Sequence, residues 1–471
     1  MLRRVRCLGA AGALALAGGC LSAFAVTAPA VTAVTVSIQP MLASRLASES
    51  APPTQAQCVA AFTAPCYQPG QFETAYNERP LFAHGITGKG QTIVLVDSFG
   101  SPTIKSDLAT FDKQFGLPAP PSFNIMQPAG KVGPYNPSTM SGWAGETTLD
   151  VEWSHSMAPG ANILLVETPV AETEGTAGFP QIIEAENYVI DHHLGQVISQ
   201  SFGATEQTFP SQQSLLSLRS AYFNAFYHHV TVLAATGDTG ATGYSNTAGT
   251  LLYTHRAVDW PASDPLVTGV GGTQLRLNPA GQRTAPDQVW DDSFNAPLNQ
   301  VFFGDSGPNA LATVGGKSVV FSRPFYQNGV ARVTGNRRGV PDISMSGACS
   351  GLVLTYQSFA PSPPGWYVVC GTSEASPLFA GIVALADQVA HHPLGLINPA
   401  LYALSAFHAP GLVDVTKGNN TVGFSQNGKS YTVTGFSAGP GYDLASGVGT
   451  VNAALFVPEL ARVAGHWGGH W

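Results

Sequence analysis

At 471 residues the chain has material for two or three ordinary domains or for one large α/β enzyme. With 44% hydrophobic and only 11% charged residues it is neither a disordered protein nor a coiled coil, and 52 Gly with 35 Pro describe a compact, turn-rich molecule. A formal net charge of −8 argues against nucleic acid as a partner, because phosphate binding needs a basic surface.

The N-terminus reads as an export signal over residues 1–25. Arg3, Arg4 and Arg6 form a basic start, Leu8 to Ala17 an apolar core, and Ala23-Phe24-Ala25 a small-residue cleavage site. A lipoprotein signal ending at Cys20 and twin-arginine export through Arg3-Arg4 are the competing readings. Cleavage after Ala25 removes three Arg and no acid, which takes the charge from −8 to −11. Beyond this segment no apolar run is long enough to span a bilayer. Four cysteines remain in the exported chain, and the simplest pairing joins sequence neighbours: Cys58 with Cys66 and Cys349 with Cys370.

Residues 26–70, rich in Ala, Thr, Ser, Pro and Gln, read as a linker or a shortened pro-segment. A catalytic domain is expected over 71–460 and a tail over 461–471. The run Gln91–Asp97 predicts a buried strand, Ile104–Phe115 a helix and Gly145–Met157 another. Strands are expected at Asn162–Glu167, Gln196–Phe202 and Thr231–Gly237, separated by helices at Pro180–His193 and Gln212–His229. This alternation predicts an α/β fold whose parallel sheet is flanked by helices on both faces. Short strands and turns dominate 270–370, and Ser376–Ala390 reads as a buried helix.

Chemistry concentrates in Gly371-Thr372-Ser373-Glu374-Ala375-Ser376-Pro377. A small-residue turn presents the Ser373 hydroxyl, expected to be exposed, at a helix N-terminus that favours negative charge. An N-cap serine has the same local look. The continuation to Pro377 matches the G-T-S-x-x-x-P serine signature of subtilisin-like peptidases, but their H-G-T-H helix is missing. His84-Gly85-Ile86-Thr87 precedes the first strand, the wrong place for it. Where that helix belongs stand Glu146 and Asp150, four residues apart on one helix face. Two close carboxyls raise each other's proton affinity, so one can hold a proton while the other accepts one. Alone, such a pair describes a solvated helix face. Asp238, in Gly237-Asp238-Thr239-Gly240 after a buried strand, sits where subtilases turn an Asn toward the oxyanion. Only a protonated Asp can do that work.

From about residue 75 to 455 these motifs, with Ser199-Gln200-Ser201-Phe202-Gly203, Pro261-Ala262-Ser263 and Val340-Pro341-Asp342, resemble the sedolisin family of serine-carboxyl peptidases. The resemblance implies a subtilisin-like fold, Glu146 as general base, Asp150 as its partner, Ser373 as nucleophile and Asp238 at the oxyanion hole. It also implies one structural calcium ion, held by the carboxylates of Asp414 and Asp443 and the carbonyls of Val415, Gly439 and Gly441. Polypeptides are the substrates it implies, cleaved internally in acid by a secreted monomer. Family members carry a long pro-domain, and the short span before the catalytic region suggests a separate pro-segment or chaperone. A subtilase using Asp97 and a non-catalytic peptide-binding protein are the alternatives.

Overall fold

A computed structural model describes residues 44–47 and 51–467; the expected signal with Cys20, and residues 26–43 and 48–50 of the expected linker, lie outside the described residues. An eight-stranded sheet forms the centre. Its strands in chain order are β1 Thr92–Ser98, β2 Phe123–Met126, β3 Asn162–Thr168, β4 Val197–Gln200, β5 Thr231–Ala235, β6 Thr268–Gln274, β7 Gln288–Val289 and β8 Ile343–Ser346. They lie in the order β7-β6-β5-β4-β1-β3-β2, with β8 also on β6, and every pairing is parallel except β6 with β7.

The sheet is covered on both sides, which is why its strands read as unbroken apolar runs. In β1, Ile93 and Leu95 belong to the core on one face, and Val94 and Val96 to the core on the other. Of the helices, α1 is Gln55–Phe62, α2 Ile104–Phe115, α3 Pro137–Met157, α4 Phe179–Asp191, α5 Ser220–Tyr227, α6 Thr372–Ala390 and α7 Ala453–Trp467. Residues of α3, α6 and α7 share the first core; those of α4 and α5 share the second. Helix α6 has no solvent face from Thr372 to Asp387 and crosses the middle of the molecule.

Three expectations change. Residues 55–70 are not linker: α1 is closed by a Thr54–Gln57 capping box, Cys58 is buried in its disulfide to Cys66, and Cys66 pairs with Leu352. The disulfide and the buried Phe62 and Ala64 hold a segment whose composition suggested no structure. The expected helix over 212–229 is two, Gln212–Leu216 and Ser220–Tyr227, and the break falls where Arg219 turns into a bidentate pair with Asp264. Helix α7 runs through the expected 460/461 boundary, because Phe456, Val457, Leu460 and Ala464 all face the core. Both disulfides join the expected neighbours.

Candidate active site

Helix α3 supplies two acids and α6 the serine, and the ends of β1, β4 and β5 converge on the same place. Glu146 and Asp150 lie one turn apart and have no solvent exposure, so the solvated-face reading of this pair is excluded. Ser373 is also fully buried, against the expectation of an exposed hydroxyl. Helix α6 begins at Thr372, one residue earlier, and takes Ser373 into its first turn.

Pro377 explains part of the motif. It has no N–H to offer the Ser373 carbonyl four residues back, and the Ser201 hydroxyl approaches that carbonyl at 3.4 Å. The same hydroxyl lies 2.8 Å from Oδ1 of Asp150. One hydroxyl has one proton, so Ser201 donates it to Asp150 across the shorter contact, and the longer approach to the carbonyl is the alternative acceptor. Ser201 is therefore a member of the centre that sequence reasoning did not single out.

The Asp238 carboxyl is fixed from the other side. Its Oδ1 accepts the Thr372 backbone N–H at 2.7 Å and the Thr372 hydroxyl at 2.8 Å. Thr372 Oγ1 in turn accepts the N–H of Gly237 at 2.9 Å. Oδ2 is buried without a hydrogen-bond partner. It borders Gly371, where a Cβ would sit 2.8 Å from it and where φ is +132°. Only glycine lets the backbone pass so close in that conformation.

Burial dominates the electrostatics. It pushes Glu146 well above the usual carboxyl range; the charges of Asp150 and Asp97 add to the rise, and the Ser373 hydroxyl opposes it. The Ser373 and Glu146 oxygens are near enough for this influence, but no closed hydrogen bond joins them. Such slack is usual before substrate binds. Asp150 is raised by burial and by Asp97, against the Ser201 bond. Asp97, at the end of β1 opposite Glu167, is raised by burial to about 7. Burial lifts Asp238 to about 6, with the two Thr372 bonds opposing. Glu146, Asp150 and Asp97 thus titrate as one unit that cannot be fully ionised.

A subtilase centre on Asp97 needs a histidine. His84 is exposed with Nδ1 2.7 Å from the Pro80 carbonyl, and the buried His155 has Nε2 2.7 Å from the Pro118 carbonyl. Asp97 faces Thr147, Glu146 and Asp150 instead.

At the C-terminal side, the expected calcium positions lie together. Asp414 Oδ2 accepts the Gly441 N–H at 2.9 Å and Asp443 Oδ2 the Gly439 N–H at 3.0 Å. Ser446 links the Val415 carbonyl, at 3.4 Å, to Asp443. Among the described residues no cluster of three or more His, Cys, Asp or Glu suits a metal. Two carboxylates with three carbonyls are a different donor set, all hard oxygen, and it fits calcium.

Residues 138–400 match the Subtilase family. Kumamolisin of Bacillus sp. (strain MN-32) is 30% identical over 401 residues, which cover 82% of this chain and 62% of that protein. Sedolisin of Pseudomonas sp. (strain 101) is 29% identical over 402 residues, covering 85% and 62%. Tripeptidyl-peptidase 1 of Homo sapiens is 29% identical over 373 residues, covering 75% and 57%. The chain therefore spans 62% of the length of the first two relatives. Among solved structures, Pseudomonas sedolisin complexed with two molecules of pseudo-iodotyrostatin superimposes with a TM-score of 0.67 at 26% identity, covering 85% of this chain and 99% of the other.

Proposed function

The chain belongs to the subtilase family, and we propose that it is a secreted serine-carboxyl endopeptidase working in acid, with an export signal over residues 1–25. The observation that carries the reading is the meeting of Ser373 with Glu146, Asp150 and a separately anchored Asp238 in one buried place. Sedolisin and kumamolisin among the relatives favour it over a binding protein on the same fold.

In this mechanism Ser373 Oγ attacks the substrate carbonyl carbon while Glu146 takes its proton. Asp150 holds Glu146 in place and helps keep the pair at one net charge. Asp238 donates a hydrogen bond from the proton it keeps on Oδ2 to the oxyanion, with Oδ1 pinned by Thr372. The tetrahedral intermediate collapses, the C–N bond breaks, and Glu146 returns the proton to the leaving amine. Water, activated by the same carboxylate, then hydrolyses the acyl-serine. The base must be ionised while Asp238 is protonated, so the rate falls on both sides of an acid optimum.

One calcium ion would be held by the carboxylates of Asp414 and Asp443 and the carbonyls of Val415, Gly439 and Gly441. Bound there, it supplies positive charge that ties the 414–415 and 439–443 turns together.

The test is hydrolysis of polypeptide substrates against pH, with Ser373→Ala as control. An acid optimum that disappears in the variant supports the reading. Turnover that peaks at or above neutral pH removes the protonated Asp238, and no turnover from folded, calcium-loaded protein favours a peptide-binding role.

A further inference from the structure

The nucleophile turn is anchored twice, and one anchor is covalent. We propose that the Cys349–Cys370 disulfide is a positioning element of the catalytic centre, so that opening it lowers turnover while the fold persists. Cys370 stands three residues before Ser373, is fully buried, and bonds Cys349 across 21 residues with the Cα atoms 5.0 Å apart. Cys349 belongs to the turn that joins β8 to the strand β9, Leu352–Gln357. Cys370 directly follows the strand β10, Gly365–Val369, which pairs with β9.

The Cys349 side of the bridge is itself rigid. Gly347 donates to the Thr273 carbonyl at 3.2 Å, and the Ser350 N–H donates to Asp292 Oδ2 at 2.9 Å. That same Asp292 oxygen accepts the buried Trp290 indole N–H at 2.9 Å. The Cys370 side is tied to it by backbone as well as by sulfur. Gly371 donates to the Gly347 carbonyl at 2.8 Å, and a Cβ on Gly347 would stand 2.8 Å from the Gly371 oxygen. Two backbones packed this closely leave the disulfide holding a gap that glycines alone can fill.

The next links lead straight to the chemistry. Gly371 abuts Asp238 Oδ2, Thr372 gives Asp238 Oδ1 both of its bonds, and Ser373 follows. A displacement of Cys370 therefore moves the nucleophile and the oxyanion donor's anchor together. Misplacement of about 1 Å at such a centre costs about 10²-fold in rate. The second disulfide, Cys58–Cys66, closes only eight residues around α1 and touches none of these groups by hydrogen bond, which makes it the internal control. Reduction takes two electrons and two protons per disulfide from a dithiol, which is oxidised to its own disulfide.

The kinetic arm of the test rests on the peptidase reading; the exchange arm does not. Full-length protein carrying Cys349→Ala with Cys370→Ala is compared with wild type and with Cys58→Ala plus Cys66→Ala. We expect kcat to fall about 10- to 100-fold with KM within about twofold, and the alkaline limb of the pH profile to move, because Asp238 loses its fixed partner. Hydrogen exchange at the Gly371 and Thr372 amides should speed up at least about tenfold while β1 and β3 stay protected. Should the double variant fail to fold, wild-type protein is reduced in steps by a dithiol. The opened disulfide is identified by iodoacetamide labelling, and turnover and exchange are followed through reduction and reoxidation. Unchanged exchange at 371–372 overturns the inference even for a protein that hydrolyses nothing. Equal losses from the two disulfide pairs, tracking Tm alone, overturn it as well.

Discussion

Asp238 grips Thr372, the residue before Ser373, taking both its N–H and its hydroxyl on Oδ1 and leaving Oδ2 buried and unpartnered. Under the proposed mechanism that asymmetry gives the two oxygens different work, anchoring for one and hydrogen-bond donation to the oxyanion for the other. An asparagine in the same pose would keep its oxygen on Thr372 and offer an N–H that does not titrate. Asp238 loses its proton as pH rises through about 6, and the rate should fall with it. Asp238→Asn should therefore retain turnover and carry the alkaline limb upward, while Asp238→Ala should lose about 10²- to 10³-fold at every pH. An Asn variant whose alkaline limb stays where it was would remove Asp238 from the oxyanion site.

Ser201 offers a subtler test, because it stabilises the charged form of Asp150 through a 2.8 Å bond. Its removal should raise the proton affinity of Asp150 and of the Glu146 unit coupled to it. In Ser201→Ala the acid limb of kcat/KM is expected at higher pH, narrowing the active window, with kcat down about tenfold for the lost bond and the freed Ser373 carbonyl. An unshifted acid limb would leave Ser201 with packing alone.

Much of the scaffold was legible because its signals are local. The run in β1 is buried on both faces, and α2 has the amphipathic period and ends at Gly116 with φ +71°. The start of α3 at Pro137 was not legible, since its first six residues, 137–142, are mostly small or polar and at least partly exposed and carry no apolar period. Glu146, Asp150, Asp238 and Ser373 were singled out by motif, and the structure brings them near one another. Ser201 and Thr372 were missed as working parts because their bonds reach 51 and 134 residues along the chain. No spacing encodes such contacts. The depth of burial was misjudged for the same reason, as the cover over Ser373 comes from distant segments.

Buried carboxyls make the fold itself acid-adapted. Burial holds Glu174 up to about 9, Glu186 up to about 8, and Asp112 and Asp259 up to about 7. In the unfolded chain these groups ionise near 4. Between that value and the folded one, the unfolded state has fewer protons, so stability falls as pH rises. Their contribution is complete below about pH 4 and is lost progressively toward pH 9. His155 opposes this, because burial lowers it to about 4 and its share is lost as pH falls from about 6.5. The acids outnumber it. Thermal unfolding should give a higher Tm at pH 4–5 than at pH 8, and Glu174→Gln with Glu186→Gln should flatten the difference. A Tm that climbs from pH 5 to pH 8 would contradict the balance drawn here.

Calcium removal separates the two aspartates at the C-terminal turns. Asp443 is bound into its turn by hydrogen bonds, accepting the N–H groups of Gly439, Ala445 and Ser446 and the Ser446 hydroxyl. Asp414 is exposed and accepts one N–H, that of Gly441. Asp443→Ala should therefore destabilise the protein with or without the metal. Asp414→Ala should cost little in a chelator yet abolish the stabilisation that calcium brings to the wild type. That stabilisation should appear as a concentration-dependent rise in Tm of about 3–8 °C once calcium exceeds its Kd by a hundredfold. Calcium titrations followed by Tm, on wild type and both variants, decide the matter. If calcium raises Tm equally in Asp414→Ala, the ion sits elsewhere and the 414–443 turns are held by hydrogen bonds alone.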